Sequence, residues 1–167
     1  MKASTTRKRQ LAYRTRRALR SIRSAQPKTV EETRALGITL IHEGTGAFRA
    51  AYRIHGTRLL IKFPRTEDGE RVINSNHTRM EVKKIRALLK FPMWQKHLPP
   101  VYYFNSRDGV MVTKFYPVGK RGMAAKSAKS LLIGELVKVF CGVVLGDITP
   151  DNVRAERGNL MLIDLGY

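Results

Sequence analysis

The sequence predicts an α+β fold: a small antiparallel β-sheet lobe with one packed helix, a much reduced second lobe, and a basic helical arm in front. Three observations predict it. Residues 38–63 read as β-branched and apolar strands separated by glycine-bearing turns. Residues 77–90 and 131–144 carry apolar side chains at helical spacing. Residues 1–30 hold ten basic side chains and no acid. The expected division is an arm over 1–30, a sheet lobe over 31–118 and a second lobe over 119–167.

The arm comes first. Lys2, Arg7, Lys8, Arg9, Arg14, Arg16, Arg17, Arg20, Arg23 and Lys28 supply about half of the formal net charge of +19. Leu11, Thr15, Ala18, Leu19 and Ile22 recur at helical spacing, and arginines fill most of the remaining wheel. Like charges three and four residues apart destabilise an isolated helix, and an acidic partner would remove that penalty. Phosphate backbone, anionic lipid and an acidic protein patch all qualify. The competing readings are a solvated arm with no fixed target and an Arg-rich organelle transit peptide. Membrane attachment is disfavoured, because only Leu11, Tyr13, Leu19 and Ile22 offer large apolar surface. Pro27 disfavours helix at Gln26 and ends the arm.

The body follows in order. A short helix over 30–36 is broken by Gly37. Strands are expected over 38–43, 48–54 and 58–63, with turns at Gly44-Thr45-Gly46 and His55-Gly56-Thr57. Residues 64–76 read as a polar loop. In the helix over 77–90 the apolar positions are Met80, Ile85, Leu88 and Leu89, and Glu81, Ile85 and Leu88 share one face, aiming an acid toward the core. Residues 101–104 and 110–115 form a hairpin around 105–109, with Tyr102 and Tyr103 on opposite faces. Residues 120–130 are polar, 131–144 form the apolar helix of the second lobe, and Val153 and 160–163 bracket a last hairpin.

Composition bounds the function. With 43% apolar and 8% aromatic residues the chain can bury a core, which excludes wholesale disorder. The single cysteine, Cys141, excludes an internal disulfide framework and a cysteine-based zinc site. The longest apolar run, 131–145, is interrupted by Glu135 and Lys138 and is too short and charged to span a bilayer. No secretory signal is read at the start, so the expected location is cytoplasmic. His42, His55, His77 and His97 are scattered without metal spacing, and Trp94 reads as a packing anchor.

Four features carry chemistry in order along the chain. Gly44-Thr45-Gly46 would let backbone N–H groups approach phosphate oxygens with no Cβ in the way. Lys62 ends an apolar strand with Leu60 on its face, and Glu81 follows on the helix. Asp147-Ile148-Thr149-Pro150-Asp151-Asn152 and Asp164-Leu165-Gly166 then flank the last hairpin. An acid, an amide and a second acid of this kind suit Mg²⁺ holding a triphosphate. Taken singly, the same residues read as a hairpin turn, a snorkelling lysine, a surface glutamate and a capped turn.

Taken together, residues 37–167 resemble the protein-kinase superfamily. Gly44-x-Gly46-x-Phe48 is similar to its Gly-rich loop, with Ala51 where a small residue roofs the adenine. The resemblance places Lys62 on the α/β-phosphates and Glu81 as its partner, with Thr113, Lys114 and Tyr116 on the strand that leads into the adenine-binding hinge. It makes Asp147 the catalytic aspartate and assigns Asn152 and Asp164 to the metal. Leu145-Gly146 replaces the usual His-Arg, Thr149 the usual lysine and Arg49 the third glycine, a pattern closer to RIO-type, aminoglycoside-phosphotransferase-type and UbiB-type branches. What the resemblance implies is a two-lobed ATP- and Mg²⁺-dependent kinase with a hydroxyl acceptor, protein among the candidates. The lobe following Gly166 is missing from the 167 residues, so a minimal fold or a partner surface is expected to supply the acceptor site. The alternative is a kinase-like binding module that holds nucleic acid or an acidic partner through residues 1–30.

Overall fold

The computed structural model describes residues 2–46, 48–65, 71–117, 152–156 and 159–165. The fold is α+β, and the chain divides into two compact units, Met1–Thr78 with Val101–Phe115, and Arg79–Pro100 with Tyr116–Tyr167.

In the first unit, α1 (Lys2–Ala25) uses the stripe that its sequence displays. Ala18 and Ile22 are buried, with Leu11, Thr15 and Leu19 partly covered. Ala18 and Ile22 pack into one core with Ile38, Leu40, Ile54, Leu59, Ile61, Phe63, Val110 and Val112. The helix is therefore docked on the sheet of its own unit and is not a detached arm. Each fully buried aliphatic side chain contributes about 1.5–3 kcal/mol, enough to hold a helix whose charges oppose it. At its end Gln26 turns left-handed with φ 48° and donates its N–H to the Ile22 carbonyl at 2.8 Å, and Pro27 follows, buried.

The short helix α2 (Val30–Ala35) is capped by Thr29, whose Oγ1 accepts from the Glu32 N–H at 3.1 Å, while Glu32 Oε2 accepts from the Lys28 N–H at 2.6 Å. Gly37, at φ 73°, stops it as expected.

Five antiparallel strands follow, β1 (Leu40–Thr45), β2 (Arg49–Ile54), β3 (Leu59–Pro64), β4 (Val101–Asn105) and β5 (Val110–Lys114), in the spatial order β1-β2-β3-β5-β4. The central β3 is buried from Leu59 to Phe63 on both faces, which is why its apolar run is continuous. Leu59, Ile61 and Phe63 face α1, and Leu60 and Lys62 face the other way. In the β2–β3 turn Gly56 has φ 68°, and an ideal Cβ there would stand 3.0 Å from Nη1 of Arg14 on α1.

Two register details differ from expectation. β1 starts at Leu40 and continues through Gly44 and Thr45, with a shift between His42 and Gly44, so the link to β2 begins at Gly46, two residues later than the expected turn. A second shift lies between Val101 and Tyr103; it breaks the two-residue alternation, and Tyr102 and Tyr103 both lie half-buried against the core.

The next helix, α3 (Arg71–Leu88), begins six residues before the expected start at His77 and takes in part of the segment read as a loop. Residues 71–76 hold no Gly or Pro, so their propensity cost is only a few tenths of a kcal/mol each. Its buried stripe is Thr78, Glu81, Val82, Ile85 and Leu88, whereas Met80 and Leu89, expected on the apolar face, are exposed.

In the second unit, after α3, a 3-10 turn at Pro92–Trp94 buries Trp94. The last hairpin is β6 (Val153–Glu156) with β7 (Asn159–Leu162), in register Val153 to Leu162. Both strands are closer together in sequence than the expected loop of 154–159 allowed. The Leu162 N–H donates to the His97 carbonyl at 2.9 Å, tying the segment after Trp94 to the hairpin. Among the described residues, no helix is long and apolar enough to cross a membrane.

Candidate functional site

Each unit gathers its own set of chemically notable residues. In the first, one cross-strand row runs Gly44–Ala51–Lys62–Met111–Phe104 through all five strands. Directly opposite residues in an antiparallel sheet project on the same side, so Lys62 stands between Ala51 and Met111, with Gly44 one strand beyond Ala51. Leu60 and Thr113 pair one step along on that side, which is the side away from α1. Lys62 is 5% exposed and Thr113 3%. Burying an ammonium in an apolar strand is costly unless charge or hydrogen bonds meet it, so the position is not that of a snorkelling lysine.

The glycines of the hairpin are informative for what they do not do. Neither Gly44 nor Gly46 has a left-handed φ. A Cβ at Gly44 would meet nothing within 4 Å, and one at Gly46 only the Arg49 carbonyl at 3.8 Å. Neither backbone conformation nor internal crowding demands glycine here, and what glycine leaves is bare backbone open to a close ligand. The tip itself is well tied. Gly46 N–H donates to the Arg49 carbonyl at 2.8 Å, Arg65 N–H to the Phe48 carbonyl at 2.9 Å, and Arg65 Nη1 to the Gly46 carbonyl at 3.4 Å. Phe48 stacks on His77 of α3.

β5 ends at Lys114, which is opposite Leu59 and half-buried, and the Phe115 N–H donates to the Arg58 carbonyl at 2.8 Å. The Arg53 guanidinium lies 5.1 Å over the Phe115 ring. Tyr116 is buried at 6% exposure.

In the second unit the Ile163 N–H donates to the Asn152 carbonyl at 2.8 Å, extending the β6–β7 ladder by one step. That bond pairs Asn152 with Ile163, the residue before Asp164, although ten residues separate the two in sequence. Glu81, 1% exposed, comes from the buried stripe of α3. Lys84, one turn on from Glu81, donates from Nζ to the Leu165 carbonyl at 3.3 Å. Burial lowers the Lys84 ammonium below the usual lysine range, and the negative charges of Glu81 and Asp164 pull it back up. Glu81, Lys84 and Asp164 thus interact within one unit. Lys84 was missed by the sequence reading, though its i+3 spacing from Glu81 on the face that holds Ile85 was a usable signal.

Asp147, the expected catalytic aspartate, lies outside the described residues, as do Asp151, Gly166, Cys141 and the helix expected over 131–144. Among the described residues no three His, Cys, Asp or Glu side chains form a metal-holding group. Asn152 and Asp164 offer an amide oxygen and a carboxylate, hard donors of the type Mg²⁺ takes when phosphate and water complete its shell. Compared with known proteins, the chain matches no family model and no curated protein.

Proposed function

We propose that the chain is a phosphotransferase of the protein-kinase-like, two-lobed kind, moving the γ-phosphoryl group of Mg²⁺-bound ATP to a hydroxyl acceptor. The observation that carries this reading is the buried Lys62 on one row with Gly44 and Ala51. A cation with alanine beside it and glycine one strand further along the row leaves room for a phosphate chain that must lie close to backbone. The order of elements supports it further: glycine hairpin, lysine strand, glutamate helix, hairpin, then an amide and an acid flanking the last hairpin.

In this reading Lys62, oriented by Glu81, holds the α- and β-phosphates. Ala51 leaves room for the adenine, whose edge meets the backbone of the segment running from Thr113 and Lys114 to Tyr116. Asn152 and Asp164 are the residues that would hold Mg²⁺, which supplies charge neutralisation to the phosphate oxygens. Asp147 accepts the proton of the acceptor hydroxyl as its oxygen bonds to the γ-phosphorus. The bond from that phosphorus to the β–γ bridging oxygen breaks, and ADP leaves. Little covalent assistance is needed, so positioning and charge carry most of the catalysis.

The test is incubation of the purified chain with Mg²⁺ and γ-labelled ATP, offering protein and small-molecule hydroxyl acceptors. Wild type is expected to transfer label and Asp164→Ala to fail. Asp147→Ala should lower turnover by about 10²–10⁴ with nucleotide affinity nearly unchanged, while Lys62→Met should weaken both. Normal turnover in Asp147→Ala would overturn the assignment.

A further inference from the structure

Docking α1 through Ala18 and Ile22 fixes which of its side chains face outward. The crest opposite the buried stripe consists of Arg9, Tyr13, Arg16, Arg17 and Arg20, all exposed, with Tyr13 the most exposed large apolar side chain among the described residues at 66%. Among the described residues these arginines meet no carboxylate. We infer that this crest is a binding surface for the phosphate backbone of nucleic acid. The inference stands on α1 alone and holds whether or not the nucleotide reading does.

Three observations select nucleic acid over other polyanions. An interfacial membrane helix needs its apolar face, and in α1 that face is already buried in the protein's own core. A folded acidic protein presents mixed charge, whereas the 24 residues of α1 contain no acid to match a partner's cations. A uniformly cationic ridge of about 1.5 Å rise per residue instead fits a regularly repeating polyanion. Tyr13, set among the arginines, adds a hydroxyl for phosphate oxygens and a ring face for an exposed base.

The composition of the crest sets the mode: four arginines bring charge and a tyrosine a hydroxyl to phosphate oxygens, and none of the five is an Asn, Gln, Asp or Glu to pair with an adenine or cytosine edge. Binding is therefore sequence-independent, electrostatic and steeply salt-dependent, with affinity in the micromolar range typical of non-specific contacts.

The experiment uses the full chain and fluorescence anisotropy with labelled 20-base-pair duplexes of two unrelated sequences and one single strand, each titrated over salt. Polyglutamate of equal charge and phosphatidylserine vesicles are parallel ligands. Both duplexes should bind equally. Replacing Arg9, Arg16, Arg17 and Arg20 by Gln should reduce the slope of log affinity against log salt by about 3.6, near 0.9 for each of four lost phosphate contacts. The same four positions as Lys should keep the slope, and Arg16→Gln with Arg17→Gln alone should remove about half of the change, which keeps the test valid should the quadruple variant fold poorly. Tyr13→Ala should weaken the single strand more than the duplexes. An unchanged slope in the Gln variants, or tighter binding of polyglutamate or vesicles than of duplex, would overturn the inference.

Discussion

The rings of Phe48 and His77 stack with centroids 3.7 Å apart and planes 11° from parallel, so an imidazole from α3 rests on the tip of the glycine hairpin. Burial, and secondarily the positive charge of Arg49, hold His77 below its ordinary 6.5. A depressed value means that the folded chain binds this proton less readily than the unfolded one. The neutral ring therefore contributes stability that is complete above about pH 6.5 and is lost as pH falls through the folded value. The expected titration midpoint of the His77 ring protons, followed by NMR, lies below 6.5 and moves upward in Arg49→Gln. The stack should loosen over the same pH range, broadening the Phe48 and Gly46 signals. A midpoint at or above 6.5, or one insensitive to Arg49, would contradict this account.

Helix α1 shows how a segment that looks like an appendage becomes part of a fold. Ile22 is 0% exposed within the sheet core. Ile22→Ala should cost about 2–5 kcal/mol in urea unfolding, whereas Arg17→Ala, on the exposed side, should stay within about 0.5 kcal/mol. Equal small losses would mean the helix is not docked. The amphipathic stripe was legible in the sequence, because helical period is a local signal. Its destination was not, because the surface that receives it is assembled from Ile54, Leu59, Ile61 and Val112 on strands distant in sequence. The same division runs through the other elements. Turn residues at Gly37 and Gly56 and the inward face of Glu81 followed from local pattern. The shifts at His42–Gly44 and Val101–Tyr103 did not, since a bulge is set by the partner strand. In the candidate site, residue types and order were readable, while the bond that joins Asn152 to Ile163 and the tie from Lys84 to Leu165 depend on tertiary placement.

The uneven charge makes stability itself depend on ionic strength. The chain has 32 basic residues against 13 acidic ones, so repulsion outweighs attraction at neutral pH. On α1 the pairs Arg14–Arg17, Arg17–Arg20 and Arg20–Arg23 stand three residues apart and Arg16–Arg20 four, all unfavourable spacings. Salt also screens attractive pairs such as Arg53 Nε to Glu43 Oε1 at 2.8 Å and Lys28 Nζ to Asp108 Oδ1 at 4.0 Å, but partly exposed pairs of this kind contribute little. Screening should therefore raise the thermal midpoint, by about 2–4 °C as the Debye length falls from about 30 Å at 0.01 M to about 8 Å at 0.15 M salt. With Arg9, Arg16, Arg17 and Arg20 replaced by Gln, the midpoint at low salt should start higher and rise by roughly half as much, because the relieved repulsion no longer needs screening. Duplex nucleic acid at low salt should raise the wild-type midpoint and leave that variant nearly unmoved, since only a ligand bound to the folded crest shifts the equilibrium by mass action. A midpoint that falls with added salt would show that the ion pairs, and not the arginine crowding, dominate the electrostatics of this chain.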